Sequence, residues 1–390
     1  MFSLFARLHK SLARVLLAVT AILLVSCGPV SLGGPGTYRG EPVPVALLVP
    51  AESVVSGDMV LARSLENAAR MAIADLDGVN IDLRVYATGG GQIEKAHNAA
   101  VQAVNDGAKI ILGPVYAEAA NAAGVAIAPT KINVLSFSNN TAIAGGNVFV
   151  MGHTFQNTAN RLAAYGRANG VDNVMVLHGQ NPAENLGRDA VVSALIANNV
   201  RLAGVTSFEM SQQGIAGAMP RVRSSVQASG ADAIFLTSGT SGALPFLSQS
   251  LLDAGIDPRT TRFLGLQRWD IPAQALTLPG LQGGWFAIPD PALQQQFENR
   301  YFNTYSQAPH PLASLAYDGI AAIGALVRSG GIGSLEKEWL TQGTGFAGVN
   351  GVFRLLPDGT VERGLAVATI YNNQVTLLDP APRSFSGPGL

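Results

Sequence analysis

Few residues in this chain of 390 stand where bond-making chemistry would need them. Ser334-Leu335-Glu336-Lys337 has the S-x-x-K spacing of penicilloyl-serine enzymes, but the S-D-N and K-T-G companions of such sites do not occur in the sequence. Gly239-Thr240-Ser241-Gly242 lacks the glycine spacing of a nucleophile elbow. Gly89-Gly90-Gly91 separates a strand-like from a helix-like stretch, without the G-x-G-x-x-G that cradles a dinucleotide. His97, His153, His178 and His310 are scattered without ligand spacing. The single cysteine, Cys27, excludes a disulfide framework and any Cys-based zinc site. Asp75 and Asp77 close a helix-like stretch and read as solvated. We therefore expect no catalysis, no metal and no cofactor. What remains are hydroxyl, amide and aromatic side chains, suited to holding a molecule.

Composition agrees. Apolar residues make up 48% of the chain and charged residues 13%, which excludes intrinsic disorder. Lys+Arg 25 against Asp+Glu 26, with no basic block, excludes a nucleic-acid binder. The length favours two domains or lobes.

The first 26 residues read as a signal peptide. Arg7, Lys10 and Arg14 form a positive leader, and the apolar run Val15–Val25 is too short to cross a bilayer. Leu24-Val25-Ser26-Cys27-Gly28 resembles the lipobox of bacterial lipoproteins. That resemblance implies cleavage after Ser26, lipidation of Cys27 and a lipid anchor in the membrane at the periplasmic face. Gly28 instead of Asp favours the outer membrane. Residues 27–44 then form the lipidated Cys and a flexible Gly/Pro-rich tether, and 380–390 a tail.

From residue 45 strands and helices alternate. Val45–Val49 is a continuous apolar run, as a strand buried on both faces requires. Over Met59–Leu76 the apolar positions step by three and four, the signature of one helical face, with Ser56 or Asp58 available as cap. Strands over 81–87, 109–112 and 133–138 alternate with helices over 93–105 and 117–128. A second series, strands over 173–178, 201–208, 231–236 and 262–266, alternates with helices over 158–169, 189–197, 215–227 and 244–254. Two such series imply an α/β fold of two Rossmann-like lobes with parallel sheets, helices on both faces and right-handed crossovers. Ligands bind beyond the carboxyl ends of such strands. Strand 284–288, helices 291–305 and 312–327, and short strands joined by Asp358-Gly359 and Asn372-Asn373 turns give an antiparallel finish.

The order and spacing of VALLVP (45–50), DGAKIILGPVYAEAANAAG (106–124), NVLSFSNN (133–140), FLTSGTSGALPFLSQSLLDAGID (235–257) and PLASLAYDGIAAIGAL (311–326) resemble the type I periplasmic-binding-protein, or Leu/Ile/Val-binding-protein-like, family. The resemblance covers about 45–379. It implies a hinged ligand cleft, with lobe I over 45–155 plus 284–345 and lobe II over 156–283 plus 346–379. The lipobox, Gln267-Arg268-Trp269-Asp270, Gly283-Gly284-Trp285-Phe286 and the run at 345–359 are most similar to penicillin-binding-protein activators, lipoproteins that regulate peptidoglycan synthesis by docking on a synthase.

The resemblance also places the cleft. The candidates are Ser53, Tyr116, Ala117, Ser136, Ser138, Asn139, Gln180, Ser238, Gln267, Trp269 and Tyr317. Amino-acid-binding relatives carry a Ser/Thr pair where Tyr116 and Ala117 stand, a Tyr at Leu186 and an acid at Gln267. These departures remove contacts that a zwitterion needs. The first expectation is thus an envelope lipoprotein acting through a penicillin-binding protein. The alternative is a substrate-binding lipoprotein that delivers a small polar ligand to an ABC permease.

Overall fold

A computed structural model describes residues 40–385. The signal peptide, Cys27 and most of the tether lie outside them. The first run comprises β1 (Val43–Val49), α1 (Asp58–Ala74), β2 (Ile81–Ala87), α2 (Ile93–Asn105), β3 (Ile110–Leu112), α3 (Ala117–Ile127), β4 (Val134–Ser136) and β5 (Val148–Val150). The second comprises α4 (Phe155–Ala168), β6 (Asn173–Gly179), α5 (Pro182–Ala197), β7 (Arg201–Phe208), α6 (Gln212–Ser229), β8 (Ala233–Leu236), α7 (Leu244–Asp253), β9 (Arg262–Gly265) and β10 (Trp285–Ile288). The last comprises α8 (Pro291–Tyr305), α9 (Ala313–Gly330), α10 (Lys337–Leu340), β11 (Phe346–Gly348), β12 (Gly351–Leu355), β13 (Val361–Arg363), β14 (Ala366–Tyr371) and β15 (Gln374–Asp379).

Two sheets result. The first runs β2-β1-β3-β4-β5 and is parallel throughout. Alternation along β1 explains its apolar run. Val45, Leu47 and Val49 pack into one core with α1, α8 and α9, while Ala46 and Leu48 pack into another with α2 and α3. The second sheet runs β15-β14-β10-β9-β8-β6-β7, with only β14 and β15 antiparallel to their neighbours. Its faces are covered by α4 with α5 and by α6 with α7. Two lobes of doubly wound α/β architecture are present, as read from the sequence.

The chain passes between the lobes three times: at 151–154 after β5, at 289–290 after β10, and at 364–365 after β13. The expected partition put 284–345 with the first lobe and 346–379 with the second. Instead β10 hydrogen-bonds between β9 and β14 in the second sheet. Strands β11, β12 and β13 form a small antiparallel sheet whose Phe346, Phe353, Leu355 and Val361 fill the first lobe's core. Short apolar strands look alike whichever sheet receives them. The three-residue strands β5 and β11 were not expected either. Helix α5 starts at Pro182, well before the expected Asp189, because the Asn181 side chain caps it by accepting from the Glu184 N–H.

At the start of α1 neither Ser56 nor Asp58 is the cap. Gly57, at φ 93°, holds that position and no side chain bonds the free amides. The Asp58 carboxylate is thus left for other work. Among the described residues no helix is long and apolar enough to cross a membrane.

Candidate functional site

The carboxyl ends of the first sheet bring several expected residues together. Ser53 follows β1, Gly90 follows β2, Tyr116 follows β3, and Ser136, Ser138 and Asn139 end or follow β4. Tyr116 donates its hydroxyl to Asp58 Oδ1 at 2.7 Å. That bond and partial burial push the phenol above its ordinary pKa, so it stays protonated. Asp58 is 4% exposed, and its Oδ2 has no partner among the described residues. Gly90 lies against it, because a Cβ there would sit 2.7 Å from Ser53 Oγ and 2.9 Å from Asp58 Oδ2. Ala117 merely opens α3. Ser136 and Ser138 are buried and shape their own turn: Ser136 donates to the Pro114 carbonyl and accepts from Ser138 N–H, and Ser138 accepts from Asn140 N–H.

The facing edge of the second sheet is built around another buried carboxylate. Glu184, in the first turn of α5, accepts from Gly179 N–H, from Thr237 Oγ1 at 2.8 Å and from Ser238 Oγ at 2.8 and 2.9 Å. Ser238 therefore spends its proton inside the protein. Gln267 donates to the Thr237 carbonyl at 2.9 Å and packs over Gly239, where a Cβ would come within 2.4 Å of its Oε1. Gln180 is exposed and bonds Ser207 Oγ at 3.0 Å.

Between the lobes lies a cavity of about 250 Å³. Asn139 and Gln267 reach it from the two strand edges, and His153, Pro289 and Leu365, at or beside the three crossings, also line it. Burial, then the positive charges of Arg363 and Arg268, lower the His153 pKa to about 3, so its imidazole is neutral. Arg268 is neutralised by Asp270, at 2.5 and 2.9 Å, and touches Gln294 at 3.3 Å. A charge-balanced wall of amides, one neutral imidazole and apolar side chains suits a small polar molecule.

Two candidates lie elsewhere. Trp269 is fully buried, stacked on Phe286 at 5.7 Å, and cannot stack on a ligand. Gly265 and Gly284 leave its space, since a Cβ on either would approach the indole within 2.4 Å. Tyr317, on α9, bonds Asp75 in the helical layer and edges Phe297. Asp75, expected to be solvated, accepts from Tyr317 and pairs with Arg300. Conversely, Asp58, Glu184 and His153 were not among the expected site residues. The sequence signal for Asp58 was an acid at the start of a helix, which reads first as a helix-end charge, whereas Glu184 lay ahead of the expected helix start at Asp189 and carried no such signal.

No curated protein matches the sequence significantly. Solved structures do. A branched-chain amino acid ABC transporter periplasmic ligand-binding protein from Burkholderia xenovorans is 16% identical, with 89% of this chain and 97% of that one covered and a TM-score of 0.69. An ABC transporter substrate-binding protein from Desulfitobacterium hafniense, in complex with Leu, is 18% identical over 87% and 100%, with a TM-score of 0.64. A solute-binding protein of an ABC transporter from Rhodopseudomonas palustris, in complex with benzoate, is 14% identical over 90% and 99%, with a TM-score of 0.58. These likenesses carry the fold. The family model described as periplasmic binding protein matches residues 42–374. With two doubly wound lobes, three crossings and a cavity between facing strand edges, the chain belongs to the periplasmic binding protein family.

Proposed function

We propose that this protein is the non-catalytic solute-binding component of an ABC importer, anchored through Cys27 at the periplasmic face of the envelope. The observation that carries this reading is the cavity of about 250 Å³, which is reached from both strand edges and from all three crossings. A solute seated there touches every part whose angle must change when the lobes close. The solute is not an ordinary α-amino acid. Tyr116, Ala117, Leu186 and Gln267 replace the groups that would hold a zwitterion, and Ser238 has no proton left to offer a carboxylate.

The synthase-activator reading is supported less well. The aromatic residues in the stretches behind it are interior: Trp269, Phe286 and Phe353 are fully buried and Phe346 and Trp285 nearly so. Shared packing of those aromatic residues explains much of the likeness of sequence without calling on a partner.

A thermal-shift and calorimetric screen of the mature protein against amines, amides, polyols, aromatic acids and short peptides tests the reading. A true solute stabilises by about 2.7 kcal/mol at one hundred times its Kd. A screen in which no class shifts the melting temperature or gives heat, while a purified bifunctional penicillin-binding protein is retained by the protein, would reverse the preference.

A further inference from the structure

We propose that the cup formed by Asp58, Ser53 and Tyr116 receives a primary ammonium group, so that the imported solute is an amine without an α-carboxylate. This deepens the solute-binding reading and rests on it. Asp58 is buried, and one of its oxygens has no hydrogen bond among the described residues. A buried charge left in that condition is costly unless something pairs with it. The other buried acids show the contrast. Glu184 is saturated by backbone and hydroxyl donors, and Asp318 by Arg363, Val349 N–H and Asn350.

The surroundings of Asp58 Oδ2 offer acceptors. Tyr116 has already given its proton to Oδ1, so its oxygen can only accept. Ser53 Oγ accepts from Val55 N–H at 3.0 Å and keeps lone-pair capacity. Gly90, at φ 74°, lets Ser53 Oγ and Asp58 Oδ2 gather against its backbone, since a Cβ there would lie 2.7 and 2.9 Å from them. An ammonium brings three donors and the balancing charge. A carboxylate would set a second negative charge beside Asp58 with little besides the Ser53 hydroxyl proton to meet it, and a neutral hydroxyl would leave the charge unbalanced.

The outer wall of the cup is the loop 51–57. Val54 on it is 95% exposed, and positive φ at Glu52 and Gly57 marks its ends. The least packed side of the cup is thus the one a solute would enter. Along the first sheet's edge the order β1-β3-β4 puts this cup two strand spacings, roughly 10 Å, from Asn139 and the interlobe cavity. That separation suits a solute with its charge at one end and a neutral body at the other.

The test is calorimetry on the full mature protein with ethanolamine, 1-butylamine and putrescine, set against ethylene glycol, 1-butanol, 1,4-butanediol and norvaline. At least one amine is expected to bind at least tenfold more tightly than its uncharged or zwitterionic counterpart. Asp58→Asn is expected to remove that preference, and Ser53→Ala to weaken amine binding several-fold. If Asp58→Asn does not fold, Ser53→Ala carries the test, expected to weaken amine binding. Binding of a neutral or anionic solute with no amine bound would overturn the ammonium site and leave the solute-binding reading standing. Amine binding indifferent to the folded variants would do the same. No binding by any class would overturn both.

Discussion

Asp58 and Glu184 occupy matching places in the two lobes. Each lies at the start of a helix, beyond the carboxyl end of a strand, and each is more than nine-tenths buried. Glu184 has a donor for each oxygen and ties β6, β8 and α5 together. Asp58 has one bond and an orphan oxygen. Buried acids of the same kind in the same fold can therefore do opposite jobs. Once saturated, a carboxylate holds two strand ends in place; left half satisfied, it stores an unmet demand that a ligand can meet. Burial alone does not separate the cases, whereas the inventory of donors does.

Four measurements break or sharpen this contrast. Glu184→Ala should have the largest effect, about 3–5 kcal/mol of destabilisation by denaturant unfolding, because several buried donors lose their acceptor together. A loss below about 1 kcal/mol would mean that Glu184 is no keystone. Gly284→Ala comes next, at about 1–3 kcal/mol, because its Cβ would lie 2.4 Å from the Trp269 ring. Unchanged stability there would show that the second lobe's edge is less tightly packed than its glycines suggest.

The third concerns His153, whose folded pKa of about 3 lies below the unfolded value of 6.5. The unfolded chain takes up this proton first as pH falls. The stability attached to neutral His153 is therefore full above pH 6.5 and drains away between 6.5 and 3, by up to about 1.4 kcal/mol per pH unit. His153→Gln should flatten that part of the profile, and an unchanged slope would show that other groups set it. The smallest effect is expected for Asp58→Asn without ligand, within about 1 kcal/mol of the parent in chemical denaturation, since removing an unbalanced buried charge offsets the weakened bond to Tyr116. A cost as large as that of Glu184→Ala would erase the distinction between the two acids.

Much of the fold could be read from periodicity. The helical faces of α1 and α2 and the apolar run of β1 follow directly from spacing, because each must bury a defined face. The destination of β10 and of β11 to β13 could not be read. Three to five apolar residues carry no record of which sheet completes their hydrogen bonds. The candidate site was legible as a set of strand-end loops, and the structure places Ser53, Tyr116, Asn139 and Gln267 on them. Their roles were not, because those depend on which proton goes where. Ser238 looked like a ligand donor until Glu184 claimed its proton, and Asp58 looked like a helix cap until Gly57 took that place. Trp269 stood among the cleft candidates because nothing in its neighbours' types announces that Gly265 and Gly284 make room for it in the core.

Arg363, at the end of β13, grips the Met151 carbonyl through Nε and Nη2 while its Nη1 holds Asp318, all out of reach of water. Any swing that pulled the strand end at Met151 away would strip a sealed guanidinium of its partners. Met151, Arg363 and Asp318 all belong to the first lobe, so this lock fixes the place where the chain leaves that lobe for the second, and the end of β5 moves only as one piece with α9 and the small sheet.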